Sequence, residues 1–308
     1  MATRAHTVPR FYLAGFTAPG VQPGHDPYTF VGSISDGAIT RRAPKNISIQ
    51  RGFYDGPGGF EESDASIETH LSKIEWAAAS AIKRIARTPV NSGSQVPPEV
   101  WRFVAWQAAR TPAWLSISED LVKDWDPNEV PNVVEPPPKG FESMKDRRRL
   151  VTLEHSKTGE RREATSEEFK QLFPLGWRWV PSTSDRLELI QMQAWYFQVR
   201  HFPRLHWRIL APPPGASFIT SDRGVTWSAD GQHHVPPSAL RHPSSEVIAP
   251  LTSEVALLGC GSPPSRTVTA EEINARIALS AVQWVAGASE AVVQAALDAR
   301  SDRNSLWH

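Results

Sequence analysis

Leu205-His206-Trp207-Arg208-Ile209-Leu210-Ala211-Pro212-Pro213-Pro214-Gly215-Ala216-Ser217-Phe218-Ile219-Thr220 is the stretch from which the fold class follows. Its first six residues alternate in the period of two that sends successive side chains to opposite faces of a sheet. The proline-glycine run then stops the strand, and a second apolar run follows. The segment therefore predicts an antiparallel hairpin. Downstream, residues 246–251 and 255–258 are short apolar runs of the same kind and predict two more strands. Near the other end of the chain, residues 28–34 and 47–50 carry β-branched and aromatic residues, with Ser35-Asp36-Gly37 as turn chemistry between them. They predict a small antiparallel meander. The opening run His6-Thr7-Val8-Pro9-Arg10-Phe11-Tyr12-Leu13-Ala14-Gly15-Phe16 reads as an aromatic-rich strand punctuated by Pro9.

Four helices separate these strands. In residues 64–87 the apolar positions Ile67, Leu71, Ile74, Ala78 and Ile82 recur at steps of three and four, so Glu68 and Glu75 share a neighbouring face. Pro97-Pro98-Glu99 suits a first helical turn and opens a helix over 98–111, with Phe103, Trp106, Gln107 and Arg110 along one side. Residues 185–202 repeat the pattern through Leu187, Ile190, Met192, Trp195 and Val199. Thr269-Ala270-Glu271-Glu272 has the form of a capping box, and the helix it opens is expected to run over 269–299. The expected fold is α+β: an antiparallel sheet built from N- and C-terminal strands, packed against these helices, in a single domain spanning 1–308. Residues 126–180 are expected to be an inserted linker or subdomain. Five prolines lie between Asp126 and Gly140, and a charged hairpin then follows through Leu150-Val151-Thr152-Leu153 and the turn Lys157-Thr158-Gly159.

The chain has 308 residues, 33 basic and 33 acidic, so no net field draws it towards nucleic acid or an anionic membrane. Its single cysteine, Cys260, excludes an internal disulfide and a multi-cysteine zinc site, and its setting reads as a buried strand end. The sequence carries no run of about 18 apolar residues and no apolar leader, so a cytoplasmic protein without membrane partners is expected. The twelve tryptophans read mainly as core anchors.

The His6 run, Asn46 with Tyr54 eight residues on, Phe103-x3-Gln107-x2-Arg110-Thr111-Pro112 and Phe218-Ile219-Thr220-Ser221-Asp222 occur in an order that resembles domain-of-unknown-function family 4238. The resemblance spans the whole chain and implies a cytosolic protein of similar length, with no activity to carry over. Gly224 stands where the family pattern has proline.

His6, Glu68, Glu75, Gln107, Arg110 and Asp222 are polar residues in segments otherwise suited to burial. If they meet, Glu75 and Asp222 are candidate ligands for Mg²⁺ or Mn²⁺, Glu68 and Asp222 candidate bases, and His6 a proton shuttle. Arg110 would clamp an anion, and Tyr54 and Gln107 would contact substrate. That constellation suggests a metal-assisted hydrolase of a phosphate-containing substrate, a nucleotide or nucleic acid. The alternative is a non-catalytic protein-binding module, with Arg110 paired to Glu75 or Asp222 in a structural network and a protein partner engaged by 126–180. The sequence leaves enzyme and binder both open. Elsewhere, Gly56-Pro57-Gly58-Gly59 lacks the Lys-Ser/Thr ending of a phosphate loop, His233, His234 and His242 read as surface histidines, and Arg147-Arg148-Arg149 with His155 reads as part of a solvated charged hairpin.

Overall fold

The computed structural model describes residues 4–21, 25–51, 63–87, 96–111, 150–180, 190, 193–195, 197–233, 240–263 and 267–305. Strands β1 (Arg4–His6), β2 (Thr29–Ser33), β3 (Ile39–Arg42) and β4 (Ile49–Arg51) come first, with the single-turn helix α1 (Arg10–Leu13) after β1. Helices α2 (Ser63–Arg87) and α3 (Pro98–Ala109) follow. The next strands are β5 (Leu150–His155) and β6 (Arg161–Thr165), then helix α4 (Ser166–Leu172) and strand β7 (Trp177–Trp179). A π-helical turn, Phe197–His201, leads to β8 (His206–Leu210), β9 (Thr220–Ser221), β10 (Thr226–Ala229) and β11 (Gln232–His233). The last elements are β12 (Glu246–Thr252), β13 (Val255–Cys260), helix α5 (Ala270–Ser280), β14 (Trp284–Gly287) and helix α6 (Glu290–Ser305).

The fold is α+β with antiparallel pairing throughout the described sheets. One sheet runs β11-β10-β12-β13-β8; a second runs β3-β2-β14-β9 and joins the two ends of the chain through the β2–β14 pair. The β12–β13 hairpin sits between two cores. Val247, Ala249, Leu251, Val255 and Leu257 face Tyr12, Phe16, Phe103 and Trp227. Ile248, Ala256, Leu258 and Cys260 face Ile273, Ile277, Val285 and Val293. Burial on both faces is why these strands read as continuous apolar runs rather than as alternation.

Four sequence expectations change. The proposed 205–220 hairpin does not form: β8 pairs with β13, and β9 pairs with β14 in the other sheet. The proline run carries the chain between sheets, and the following amides bond elsewhere, Phe218 to the Ser253 carbonyl and Ile219 to Asn274 Oδ1. The 28–34 strand pairs instead with Ile39–Arg42 across the predicted turn, while Ile49–Arg51 pairs with Arg4–His6. Of the opening run, only His6 ends in a strand; extended Pro9 then starts the turn of α1. The closing helix is two helices with β14 between them. Its capping box is present, with Thr269 Oγ1 accepting from the Glu272 amide at 3.2 Å and Glu272 Oε2 accepting from the Thr269 amide at 3.0 Å. The helix stops at Ser280 because Ala281 turns extended (ψ 143°) and Arg300 takes up the carbonyls of Ala278, Leu279 and Ala281. Residues 181–189 lie outside the described residues; the expected third helix is seen at Ile190 and 193–195 and as the π turn.

Residues 150–179 form the order β6-β5-β7 with α4 packed against it. Gly159 makes the hairpin turn at φ 68°. Val151, Leu153, Ala164 and Phe169 make a small cluster distinct from the two main cores. Residues 112–149, with the proline-rich segment, lie outside the described residues.

Candidate functional site

Arg110 is the residue that ends α3. Its amide still bonds the Trp106 carbonyl at 3.1 Å, while its own backbone leaves the helical region at ψ 3°. The side chain is only 2 % exposed. Three residues back on the same helix face, Gln107 Oε1 accepts from both Arg110 Nε (3.1 Å) and Nη2 (2.9 Å). Arg110 Nη1 donates to Glu75 Oε1 of α2 at 2.8 Å. With its oxygen thus committed to the guanidinium, the Gln107 amide presents Nε2 to the Thr7 carbonyl at 3.3 Å. Thr7 is fixed in turn by Ser48, whose hydroxyl lies 2.5 Å from Thr7 Oγ1 and accepts the Val8 amide at 2.7 Å. Ser48 is held at φ 60°, a conformation that non-glycine residues seldom adopt.

The loop after β9 is seated on this network. A Cβ on Gly224 would lie 2.8 Å from Gln107 Cγ, and the residue sits at φ +66°. Proline, the residue of the family pattern at this position, is fixed near φ −65° and lacks the N–H that Gly224 donates to the Ser221 carbonyl at 2.9 Å. This loop path therefore depends on glycine. Beneath it the buried Tyr12 hydroxyl reaches the Pro250 carbonyl at 2.6 Å, Thr220 Oγ1 at 2.9 Å and the Gly224 carbonyl at 3.2 Å. A phenol has one proton, so the shortest contact takes it and Thr220 donates to Tyr12. Burial pushes the Tyr12 phenol well above its ordinary range.

Asp222 opens the same loop. Its amide donates to the Trp284 carbonyl at 3.2 Å, and its carboxylate accepts from the Val282 (3.0 Å) and Gln283 (3.2 Å) amides. The side chain thus ties the end of β9 to the approach to β14. Burial raises its pKa, against the opposing pull of those amides and of Arg223. Arg223 itself is 5 % exposed, and its Nε is buried with no hydrogen-bond acceptor. Burial lowers its pKa, and the Asp222 charge opposes that. Arg300 also lies within electrostatic reach of Asp222.

The structure thus brings Glu75, Gln107 and Arg110 into one network and sets the Asp222–Gly224 loop against it. Asp222 does not bond Arg110; its two oxygens serve the Val282 and Gln283 amides. His6 is half-buried at the end of β1, opposite Ile49 and adjacent to Thr7. Glu68 lies on α2, but its side chain is outside the described residues, as is Tyr54 entirely. Among the described residues, no three His, Cys, Asp or Glu side chains come together as a metal-binding group. The separate cleft of about 580 Å³ between residues 213–217 and helices α5 and α6 is lined by none of the predicted site residues. His242 pairs with Asp230 at 3.2 Å, and His155 bonds Thr158 and the Leu175 carbonyl.

Sequence reasoning missed Arg223, Tyr12 and Ser48. For Arg223 the signal was present: it interrupts a run from Phe218 to Ala229 that is buried throughout. A charge in such a run needs an account. A buried guanidinium with an open donor can receive an anion, and the neighbouring carboxylate is already held by backbone amides.

A family model described as "Protein of unknown function (DUF4238)" matches residues 4–291. No curated protein and no solved structure matches the chain.

Proposed function

The chain belongs to the DUF4238 family, whose description assigns no activity, and we propose from its own residues that it binds a phosphate-containing ligand at the Asp222–Gly224 loop. The observation that carries this reading is Arg223: a guanidinium 5 % exposed whose Nε has no acceptor. Leaving a buried donor unmade costs about 1–3 kcal/mol, so such a group is expected to have a use. A phosphate oxygen supplies a charged acceptor for that donor. In this reading Glu75, Arg110 and Gln107 are the scaffold that fixes the loop, rather than a clamp on the ligand. Their polar atoms are bonded to one another and to Thr7.

Hydrolysis of the bound ligand is the stronger form of the proposal. Its water-activating group would be His6, at the end of β1 beside Thr7 of the network. Calorimetric titration with inorganic phosphate and with nucleoside phosphates tests the binding. Saturable binding lost in Arg223→Met is expected; equal binding by wild type and variant overturns the assignment. Release of phosphate from the bound nucleotide, and its loss in His6→Gln, tests the stronger form.

A second reading, recognition of a protein partner by the 150–179 unit, is favoured by exposed Leu150 and Leu175 on a unit whose core is its own. Partner capture abolished by Leu150→Asp with Leu175→Asp would support it. Capture unchanged by the pair would remove it.

A further inference from the structure

Helix α2 turns one face to the core and leaves another to solvent. Between Leu71 and Arg87 its buried side chains are Leu71, Ile74, Ala78, Ala81 and Ile82, all packed in the larger core. Lys73, Trp76, Lys83, Arg84 and Arg87 are exposed, and the other two exposed positions are serines. At 3.6 residues per turn these five fall on one stripe about 100° wide and, from Lys73 to Arg87, about 21 Å long. Residues three or four apart on such a stripe are surface neighbours, so one ligand can touch both.

The stripe has one sign of charge. The sole carboxylate between residues 71 and 87, Glu75, is turned to α3, where it accepts from Arg110 at 2.8 Å. Lys73, Lys83 and Arg87 form no ion pair with a described residue. Arg84 and Arg87 lie in the last turn, where cations complement the helix dipole; that accounts for neither Lys73 nor Trp76. Trp76 is 77 % exposed, the only exposed tryptophan among the described residues, and no described ring or guanidinium stacks on it. Because the whole chain balances at 33 basic and 33 acidic residues, any pull on a polyanion has to come from a local feature of this kind.

An open indole set among cations fits a chain of phosphates that carries flat rings. Cations track the backbone and an aromatic face takes a base, the combination by which single strands are held without sequence preference. An anionic bilayer, in contrast, holds a helix in proportion to the apolar area it buries. The apolar side of α2 is already packed in the core, which leaves a bilayer one indole. We infer that this face of α2 binds single-stranded nucleic acid, with a base stacked on Trp76 and phosphates to either side on Lys73 and on Lys83, Arg84 and Arg87. The face shares no residue with the Asp222–Gly224 loop, and the inference does not rest on the reading given for that loop.

The test is a fluorescence-anisotropy titration of a labelled oligothymidylate with the full-length chain over a range of salt concentrations. Saturable binding is expected, with log Kd rising against log salt at a slope of about 2–3, as for three to four neutralised phosphates. Trp76→Ala should weaken binding about five- to a hundredfold. Lys73→Ala with Lys83→Ala should lower the slope by about 1.4. All three positions are exposed, so these changes leave the core intact. Arg223→Met should bind the oligonucleotide as wild type does. Absence of binding, equal affinity in Trp76→Ala, or an unchanged slope in the double lysine variant overturns the inference. Binding to vesicles of anionic lipid that Trp76→Ala abolishes, with none to the oligonucleotide, overturns it too and assigns the face to a membrane surface.

Discussion

Replacing Gly224 by alanine perturbs the seat of the proposed ligand loop by a single methyl group. At φ +66° a side chain costs about 1–2 kcal/mol in backbone strain. The new Cβ would also stand 2.8 Å from Gln107 Cγ, closer than real Cβ contacts come, and 3.0 Å from Nε2, tighter than nearly all of them. Gln107 cannot swing aside freely: it is fully buried, with its oxygen accepting twice from Arg110 and its nitrogen donating to Thr7. Displacing it weakens hydrogen bonds to a buried charge, worth about 1.5–3 kcal/mol. Together these give a loss of about 2.5–5 kcal/mol. Urea denaturation of wild type, Gly224→Ala, Gln107→Ala and the double variant measures it. Because Gln107→Ala removes the obstructing side chain, the double variant should lose less than the sum of the two singles. A loss below about 1 kcal/mol in Gly224→Ala, or strict additivity, would refute the claim that the loop rests on Gln107.

Glu75→Ala leaves the 2 %-exposed Arg110 without its carboxylate and is expected to cost about 3 kcal/mol by denaturation, while phosphate binding persists in the folded fraction. Tyr12→Phe strands the buried Pro250 carbonyl and Thr220 hydroxyl, for a loss of about 1–3 kcal/mol. His201 titrates near 4 in the folded chain against 6.5 ordinarily. Between those values the unfolded chain binds the extra proton, so His201's contribution is complete above pH 6.5 and declines as the pH falls towards 4. The loss is about 3 kcal/mol, and it should be missing from the pH-stability profile of His201→Gln.

Local chemistry was legible in the sequence wherever a segment carries its own signal. The Thr269–Glu272 capping box, the proline-led start of α3 and the Lys157–Gly159 hairpin turn are all found where the residues place them. Pairing was not legible, because the strand periodicity of 206–210 says that it is a strand and not which strand it joins. The break between α5 and α6 was hidden for a similar reason. Asp222, sixty residues earlier, holds the Val282 and Gln283 amides, and Arg300 closes the helix end from beyond the strand. Of the site, the sequence picks out Glu75, Gln107 and Arg110 as polar residues on buried helix faces. It does not distinguish a satisfied guanidinium from an open one. Arg110 and Arg223 are both buried arginines, and the partners around the guanidinium separate them: Arg110 donates to Gln107 and Glu75, whereas Arg223 Nε has no acceptor.

That difference is what the most direct measurement addresses: the unfolding free energy of wild type and Arg223→Met, each with and without saturating inorganic phosphate. If Arg223 is a ligand-binding guanidinium held at a cost to the fold, phosphate stabilises the wild type. The variant is then more stable than phosphate-free wild type, by about 1–3 kcal/mol, and indifferent to phosphate. A variant that is less stable than wild type and still gains from phosphate contradicts the account.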